Sequence, residues 1–428
     1  MRIPRWTLLT LLLAAPLAAE VHTLSLRRTL ERALELSPEV ALARLEEGKA
    51  AQGVRLARDP FLPKVYAGSG LAYSHGFPMS IEGAAPSVIQ ARGVAAVFDR
   101  AQSHRLAQAR ENARTSALDT ATRRDAVGLE AVSLHLDAER AARHVELYQG
   151  QVEHLEKVEQ LVRQRVSEGR ELALEARRAA LEVSRARQRA EAAAFDRELA
   201  ESLLAALLGY GAADRVRPAV EERAAPTLPA TAEEAVEAAL RDNNEIRRLE
   251  SALAAKGFQI RAHQASWQPR LNLVAQYGLF ARFNNYEDFF RKFQRHNGQI
   301  GVSVEIPVLA GSAASAQAVQ AEAEAAGLRV ELNTARARIA NQARRRYHQV
   351  RLAQTAREVA RLDLEVTREH LGVLLARFEE GREALGAVES ARAREGEKWV
   401  AYFDAQQALE KARLIVMQSA GGLLAAVL

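Results

Sequence analysis

The residues best placed to do chemistry are charged side chains in two stretches that share one pattern around a glycine. The matching basic and glycine positions are Arg165, Gly169 and Arg170 in the first stretch, and Arg377, Gly381 and Arg382 in the second. Glutamates lie close to both glycines. Carboxylates that are held close together attract cations and repel one another.

Other chemistry finds little support in the sequence. Without cysteine there is no thiol nucleophile, disulfide scaffold or zinc ribbon. His135, His144 and His154 lie on one predicted helix, but nine or ten residues apart, so they cannot share a metal, and we expect them to be solvated surface. The phosphate-loop, dinucleotide, GxSxG and HExxH motifs are missing from the sequence. We therefore predict no catalytic residue, no cofactor and no metal.

Composition favours long helices over a compact enzyme core. Of the 428 residues, 48% are apolar but only 5% are aromatic, so alanine and leucine supply most of the apolar share. The chain is too apolar to be disordered. Its 59 basic and 54 acidic residues nearly balance, and Arg344-Arg345-Arg346 would point around a helix rather than along one groove. We therefore predict no nucleic-acid partner.

The N-terminal segment predicts export. Arg2 and Arg5 precede an apolar run from Trp6 to Ala15 that ends in small residues, which is the pattern of a secretory signal peptide over residues 1–19. The alternative is a retained N-terminal anchor. Removing the segment lowers the basic count from 59 to 57 against 54 acidic residues, a surplus of three. Later in the chain the sequence has no apolar run of 18 residues, so a membrane would not be crossed by helices.

An internal duplication organises the chain. Residues 30–63 align with residues 236–269 without a gap, and the stretch around Gly169 aligns with that around Gly381 at an offset of 212. We predict a first repeat over 20–208, a linker rich in proline over 209–230, and a second repeat over 231–428. Each repeat should contain a helical stretch, a strand pair, a very long helix, a glycine break and a second helix. Helices over about 100–166 and 310–378 would each be on the order of 100 Å long, a length that suits a coiled tube.

The predicted strands carry a membrane signal. They cover about 63–74, 88–98, 270–282 and 298–307. Apolar and polar residues alternate over about ten residues, as in a transmembrane barrel strand. The alternative is a pair of soluble hairpins packed on helices. Four strands cannot close a barrel, and an open edge in lipid leaves backbone groups unpaired, so three chains would be needed to give twelve strands and a lumen.

The loops at 75–87 and 283–297 join these strands. The second loop contains an aromatic cluster, which is either a membrane-interface girdle or a loop over the pore, or else a small hydrophobic core of the loop itself. The cluster consists of Phe283, Tyr286, Phe289, Phe290 and Phe293. Beyond the strands, narrow heptad seams along the long helices predict coiled-coil packing that reverses at turns near 167–171 and 379–383.

In this order of elements the sequence resembles the TolC-like outer membrane factors, the outer membrane efflux protein family, over nearly all of residues 24–422. The motifs that carry the resemblance are Phe61-Leu62-Pro63 and Gln268-Pro269-Arg270 before the strands, Arg165…Gly169…Glu175…Ala179 and Arg377…Gly381…Ala391. The resemblance implies a mainly α fold with a small transmembrane β part: a trimeric twelve-stranded barrel in the outer membrane, continued by an α-helical coiled-coil tunnel in the periplasm.

The resemblance also implies partners and roles for the residues near the two glycines. The partners would be two further copies of the chain, outer-membrane lipid, a periplasmic adaptor (membrane fusion protein) and an inner-membrane efflux pump or ABC transporter. The residues that would dock the adaptor are Arg165, Gly169, Arg170, Arg377, Gly381 and Arg382.

A gate residue is expected six positions after each glycine, where the family has an acid. Glu175 occupies that position in the first repeat, but Ala387 occupies it in the second, so Glu383 or Glu389 would have to supply the acid there. Phe378 stands where the family often has a tyrosine, and it cannot donate a hydrogen bond.

The sequence thus favours a passive exit duct of a tripartite efflux or type I secretion system. The alternative is a soluble periplasmic coiled-coil adaptor or tether. The duplicated alternating strands argue against that alternative, because an adaptor needs only one helical hairpin between compact β domains.

Overall fold

The computed structural model describes residues 20–70, 87–221, 223, 228–281, 294–308, 312–419 and 421–422. The predicted signal peptide, the aromatic cluster from Phe283 to Phe293 and most of the predicted loops at 75–87 and 283–297 lie outside these residues. The predicted class, mainly helical with a small β part, is confirmed.

The elements follow the same order in both halves of the chain. The first half contains β1 (Val21–Leu24), α1 (Leu26–Leu36), α2 (Pro38–Arg58), β2 (Lys64–Gly70), β3 (Ser87–Phe98), α3 (Arg100–Ser167) and α4 (Ala173–Leu207). The second contains β4 (Arg215–Pro218), α5 (Ala232–Asp242), α6 (Asn244–Gln264), β5 (Arg270–Phe280), β6 (His296–Glu305), α7 (Ala313–Glu379) and α8 (Leu385–Ser419). Helices α3 and α7 run for 68 and 67 residues.

Local sequence explains where the shorter helices begin and end. The Ser25 hydroxyl accepts a hydrogen bond from the Arg28 N–H at 3.1 Å and caps α1. Pro38 is the first residue of α2, a position where a missing N–H costs nothing. Asn243 caps α6 through the Glu245 N–H at 2.9 Å. The chain therefore breaks between paired helices at equivalent places in the two halves.

The strands of the two halves form one antiparallel sheet in the order β2-β3-β5-β6. Each pair is directly hydrogen-bonded, and β3 of the first half pairs with β5 of the second along nearly its whole length. Among the described strands, β2 and β6 each have one edge without a strand partner. This sheet is therefore open at both sides within a single chain.

A second, two-stranded sheet lies in segments for which the sequence predicted no strand. Strand β1 pairs in parallel with β4, which lies in the segment predicted as linker. The Ala219 N–H donates to the Leu24 carbonyl at 2.8 Å, and the Arg215 N–H donates to that of Glu20 at 3.0 Å. Four-residue strands are too short to show a clear alternation in the sequence.

The described residues divide into two compact units. The first unit consists of the described residues up to Ala41, those of Arg123–Arg241 and those from Ala340 onward. The second unit consists of the described residues of Leu42–Thr122 and Asp242–Ile339. In the first unit, α1 buries Leu30 and Leu34 against Val132 and Leu136 of α3. The second unit contains the four-stranded sheet. None of the described helices is long and apolar enough to cross a membrane.

One histidine prediction is wrong. His135 is completely buried, and its Nδ1 lies 3.0 Å from the Thr29 hydroxyl of α1. Burial lowers the pKa of His135 to about 4, so the ring is neutral at physiological pH. His135 follows Val132 by three residues and Ala131 by four, and both are buried, so helical periodicity places His135 on the buried face of α3.

Candidate functional site

The turn between α3 and α4 is a tight glycine cap. Gly169 has φ +72°, a backbone conformation that side chains other than glycine rarely adopt. The Arg170 N–H donates to the Arg165 carbonyl at 2.8 Å, and the Gly169 N–H donates to the Val166 carbonyl at 3.0 Å. These two bonds form a Schellman motif, which satisfies the last carbonyls of α3 and reverses the chain within a few residues.

The turn between α7 and α8 repeats this geometry 212 residues later. Gly381 has φ +70°, the Arg382 N–H donates to the Arg377 carbonyl, and the Gly381 N–H donates to the Phe378 carbonyl, both at 2.9 Å. Gly209 and Gly421, with φ +71° and +66°, are related by the same offset. The positive-φ glycines of the described residues therefore form two equivalent pairs.

The basic residues proposed for docking lie on the surface around the two turns. Arg170 pairs with Glu168 at 3.2 Å, and Arg382 makes the equivalent contact with Glu380 at 3.0 Å. Exposed ion pairs of this kind contribute about 0–1 kcal/mol, so a partner surface could displace them at small cost. Arg377 is exposed as well.

Arg165 differs from the other basic residues because it links the two hairpins. Its guanidinium carbon lies 5.8 Å from the centre of the Phe378 ring, and its Nη1 lies 4.0 Å from Glu171. Phe378 packs against a buried cluster between α7 and α8 that contains Leu371, Leu374, Val388 and Ala391. Phe378 therefore packs within the second hairpin and also contacts Arg165 of the first.

The acidic gate candidates occupy different environments. Glu175, in the first turn of α4, pairs with Arg178 at 2.7 Å. Glu383 is half-buried beside Gly381, and its carboxylate accepts from the Ala384 N–H at 3.4 Å. In the described residues, no ion pair or hydrogen bond joins Glu175, Glu383 and Glu389 to one another. A single chain therefore does not assemble them into one acidic site.

Glu389 faces the other hairpin. Its Oε2 lies 3.4 Å from His154 Nε2 on α3, and the Arg392 guanidinium lies 2.8 Å from His154 Nδ1. Burial raises the pKa of Glu389, and burial together with the Arg392 and Lys157 charges lowers the pKa of His154. Glu389 is therefore a weaker source of fixed negative charge than an exposed glutamate would be.

Sequence reasoning missed the pairing of His154 with Glu389 because it depends on contact between helices 235 residues apart. The group lies beside a cavity of about 370 Å³ whose apolar lining includes Leu155, Leu371 and Trp399. No cluster of three or more metal-ligating side chains occurs in the part of the chain that the structure describes.

A second group missed from the sequence joins the linker to the helices. Arg223 Nη2 lies 2.6 Å from Glu139 of α3, and its Nε lies 2.8 Å from Glu410 of α8. Its side chain is only 20% exposed, yet the two carboxylates raise its pKa against the opposing effect of burial. Arg223 thus connects the linker by ion pairs to one helix from each half of the chain.

The four-stranded sheet separates apolar from polar side chains across all its strands. The strand register places Ala67, Ala91, Tyr277 and Gly298 opposite one another, and equally Gly93, Ala275 and Ile300. Residues directly opposite each other point to the same face of a sheet. The apolar face therefore extends across the strands up to His296, which lies opposite Leu279 and whose Nδ1 is 2.8 Å from the Tyr277 hydroxyl. Its apolar members on β5 and β6 are Leu271, Leu273, Ala275, Tyr277, Leu279, Ile300, Val302 and Val304.

The opposite face is mostly polar. Gln276 lies opposite Gln299, whose amide donates to the Gln276 side-chain oxygen at 2.8 Å. Asn272 lies opposite Ser303, and Arg270 lies opposite Glu305. A sheet with one lipid-compatible face and one water-compatible face is what a transmembrane barrel requires.

The long helical hairpins and the two-faced sheet define the fold class: mainly helical, with a small antiparallel sheet. Residues 235–422 match the family described as outer membrane efflux protein. The resemblance to this family that was drawn from the sequence is confirmed over these residues.

Solved structures show the same fold along almost the whole chain. The structure of CusC, described in terms of transmembrane channel formation, matches with a TM-score of 0.75 and 14% identity over 93% of this chain and 92% of that one. The outer membrane protein VceC of Vibrio cholerae matches with a TM-score of 0.71 and 17% identity over 93% and 96%.

The open-state MtrE outer membrane channel of Neisseria gonorrhoeae matches with a TM-score of 0.70 and 18% identity over 93% and 89%. No curated protein sequence matches the chain significantly.

Proposed function

We propose that this protein is the homotrimeric outer-membrane exit duct of a tripartite efflux or type I secretion system. It is a passive conduit: substrates reach it from an inner-membrane efflux pump or ABC transporter through a periplasmic adaptor. The single observation that carries the proposal is the four-stranded sheet with one continuous apolar face and two open edges.

The open edges require further chains. In lipid each unpaired backbone group costs several kcal/mol, so β6 of one copy must pair with β2 of the next. Two copies would give eight strands, whose interior is just filled by side chains, whereas three give twelve strands and leave a lumen. A trimer is therefore the smallest assembly that makes a duct.

The helices support the same assembly. Leu352, Val359, Val366 and Val373 are spaced by seven along α7, and each is half or more exposed within one chain. A heptad stripe of this kind is the seam by which one helix packs on another. Phe195, Leu199 and Leu203 of α4 are also exposed and offer an apolar surface on the other hairpin. We assign both surfaces to contacts between copies of the chain.

The two glycine turns are assigned to the adaptor. Six hairpin ends from three chains would present Arg165, Arg170, Arg377 and Arg382 to a periplasmic partner, with Gly169 and Gly381 allowing close approach. Glu175 and Glu383 remain the better candidates for an acidic gate at this end. Phe378 would act by packing, and Glu389 by its contact with His154.

Membrane fractionation tests the proposal against a soluble adaptor or tether. The full-length chain, expressed in a Gram-negative host, should enter the outer-membrane fraction and migrate as a trimer that heat converts to monomer. In planar bilayers the purified trimer should conduct ions. A periplasmic, soluble monomer would overturn the proposal and favour the tether.

A further inference from the structure

One level of the sheet carries a long polar side chain on every strand. Tyr66 on β2 lies opposite Arg92 on β3, Arg92 lies opposite Gln276 on β5, and Gln276 lies opposite Gln299 on β6. All four residues are on the polar face, since opposite residues share a face. We refer to this set, Tyr66, Arg92, Gln276 and Gln299, as the Arg92 row.

Among the described residues of this face, Arg92 carries a positive charge without an ion pair. Lys64 is paired with Asp59, and Arg270 lies 3.9 Å from Asp99 as well as opposite Glu305. Arg92 is exposed and has no ion pair within the described ranges. Glu305 lies six residues along β6 from Gln299, roughly 20 Å at the rise of a strand, which exceeds the screening length at physiological salt.

The side chains of the Arg92 row are larger than those of the neighbouring row of residues on the polar face. The next level consists of Gly68, Gln90, Gly278 and Asn297, of which two have no side chain. Inward side chains decide how much of a barrel lumen stays open. The level with a tyrosine, an arginine and two glutamines is therefore the narrower of the two.

We propose that, in the closed barrel, three copies of the Arg92 row form a ring that attracts anionic solutes and the acidic groups of substrates. This inference rests on the proposed trimeric duct. The ring contains three guanidinium groups separated by neutral tyrosine and glutamine side chains, so it adds positive charge where the lumen narrows. Rings of charged side chains set the ion preference of pores, and arginine rings favour anions.

Conductance of the full-length trimer in planar bilayers at 0.1 M KCl tests the ring, with hexacyanoferrate(II) as a multivalent anionic probe. The wild-type channel should be blocked by the probe, and Arg92→Gln should raise the half-blocking concentration about tenfold or more, because three unit charges act on a tetravalent anion. The chloride-to-potassium permeability ratio should fall in the same variant, and fall further in Arg92→Glu.

Arg92→Lys is the matched control, since it keeps the charge and changes the shape. It should retain block and permeability ratio close to wild type. The proposed ring is overturned if trimers conduct but Arg92→Gln and Arg92→Glu leave both readouts unchanged. Absence of trimers or of any conductance in the wild type would instead refute the duct itself, so the two failures are distinguishable.

Discussion

Substitution of Gly169 separates the backbone role of the first hairpin turn from its proposed role in docking. Gly169 has φ +72°, and a Cβ added to it would meet no heavy atom within 4 Å. A Cβ at this position is therefore free of contacts within its own chain. We expect a loss of transport that grows with side-chain size to come from a partner.

The cost to the chain follows from the backbone alone. A residue with a Cβ in the left-handed region loses about 1–2 kcal/mol, and therefore roughly 3–6 kcal/mol over a trimer. Gly169→Ala and Gly169→Leu should show this same cost. Gly169→Asn should cost less, because asparagine tolerates the left-handed region better than other side chains.

Gly209 provides the matched control for the backbone cost. It has φ +71° in the same kind of helix cap, and a Cβ there would make only ordinary contact with Leu36 at 3.6 Å. Gly209→Ala should therefore destabilise the trimer as much as Gly169→Ala does. Two measurements are made on each variant. The first is the temperature at which the trimer dissociates on a gel, and the second is efflux from cells that carry the cognate adaptor and pump.

Transport should persist in Gly209→Ala and Gly169→Ala and should be lost in Gly169→Leu, although trimers assemble in all three variants. If Gly169→Leu transports like Gly169→Ala, the turn is not a docking surface. If Gly169→Ala destabilises the trimer far more than Gly209→Ala does, the turn makes contacts that are absent from a single chain. The cost would then not come from the left-handed backbone alone.

Four further substitutions test the sheet, the linker and the buried histidine. Val302→Lys on the apolar face should destabilise the barrel by about 2–4 kcal/mol near the bilayer midplane, whereas the adjacent Ser303→Lys should change stability little, as measured by heat dissociation of the trimer; equal effects would contradict the assignment of faces. Arg223→Met leaves Glu410 without its ion-pair partner and Glu139 with Arg143 alone. It should lower stability by about 3 kcal/mol in thermal melts in detergent, and a loss below about 1 kcal/mol would show that Arg223 does not hold the linker to the helices. His135 has its pKa lowered to about 4 in the folded chain. Its neutral form is therefore favoured by folding, and stability falls as pH drops from about 6.5 to 4, by up to roughly 3 kcal/mol. His135→Gln should remove this part of the pH dependence, and an unchanged slope would contradict it.

Much of the fold was predictable because its signals are strong and repeated. The long helices follow from alanine-rich heptads that end at glycines with the same flanking residues, and the strands follow from alternation that recurs at an even offset. The pairing of β3 with β5 was not predictable, because it joins residues from different repeats whose register depends on the assembled sheet.

The site was predictable only in part. The two glycine turns could be located because a left-handed cap requires glycine and leaves it visible in the sequence. The environment of Glu389 could not be, since a contact with His154 on a distant helix decides its burial and its protonation. The role of Arg223 was not predictable for the same reason. In the sequence it is one charged residue of the linker, and only the folded chain brings Glu139 and Glu410 to it.

In the proposed exported protein, the pairing of β1 with β4 constrains the order in which the chain can fold. The Glu20 N–H donates to the Asp214 carboxylate at 3.2 Å, a contact that spans 194 residues. In a polypeptide that is translocated from its N-terminus, β1 reaches the periplasm first, but its partner strand follows only after the whole of the first helical hairpin. Until then the edge of β1 has no strand partner and is open to non-native pairing. A periplasmic holding factor that protects this segment would therefore act on the first repeat before it acts on the second.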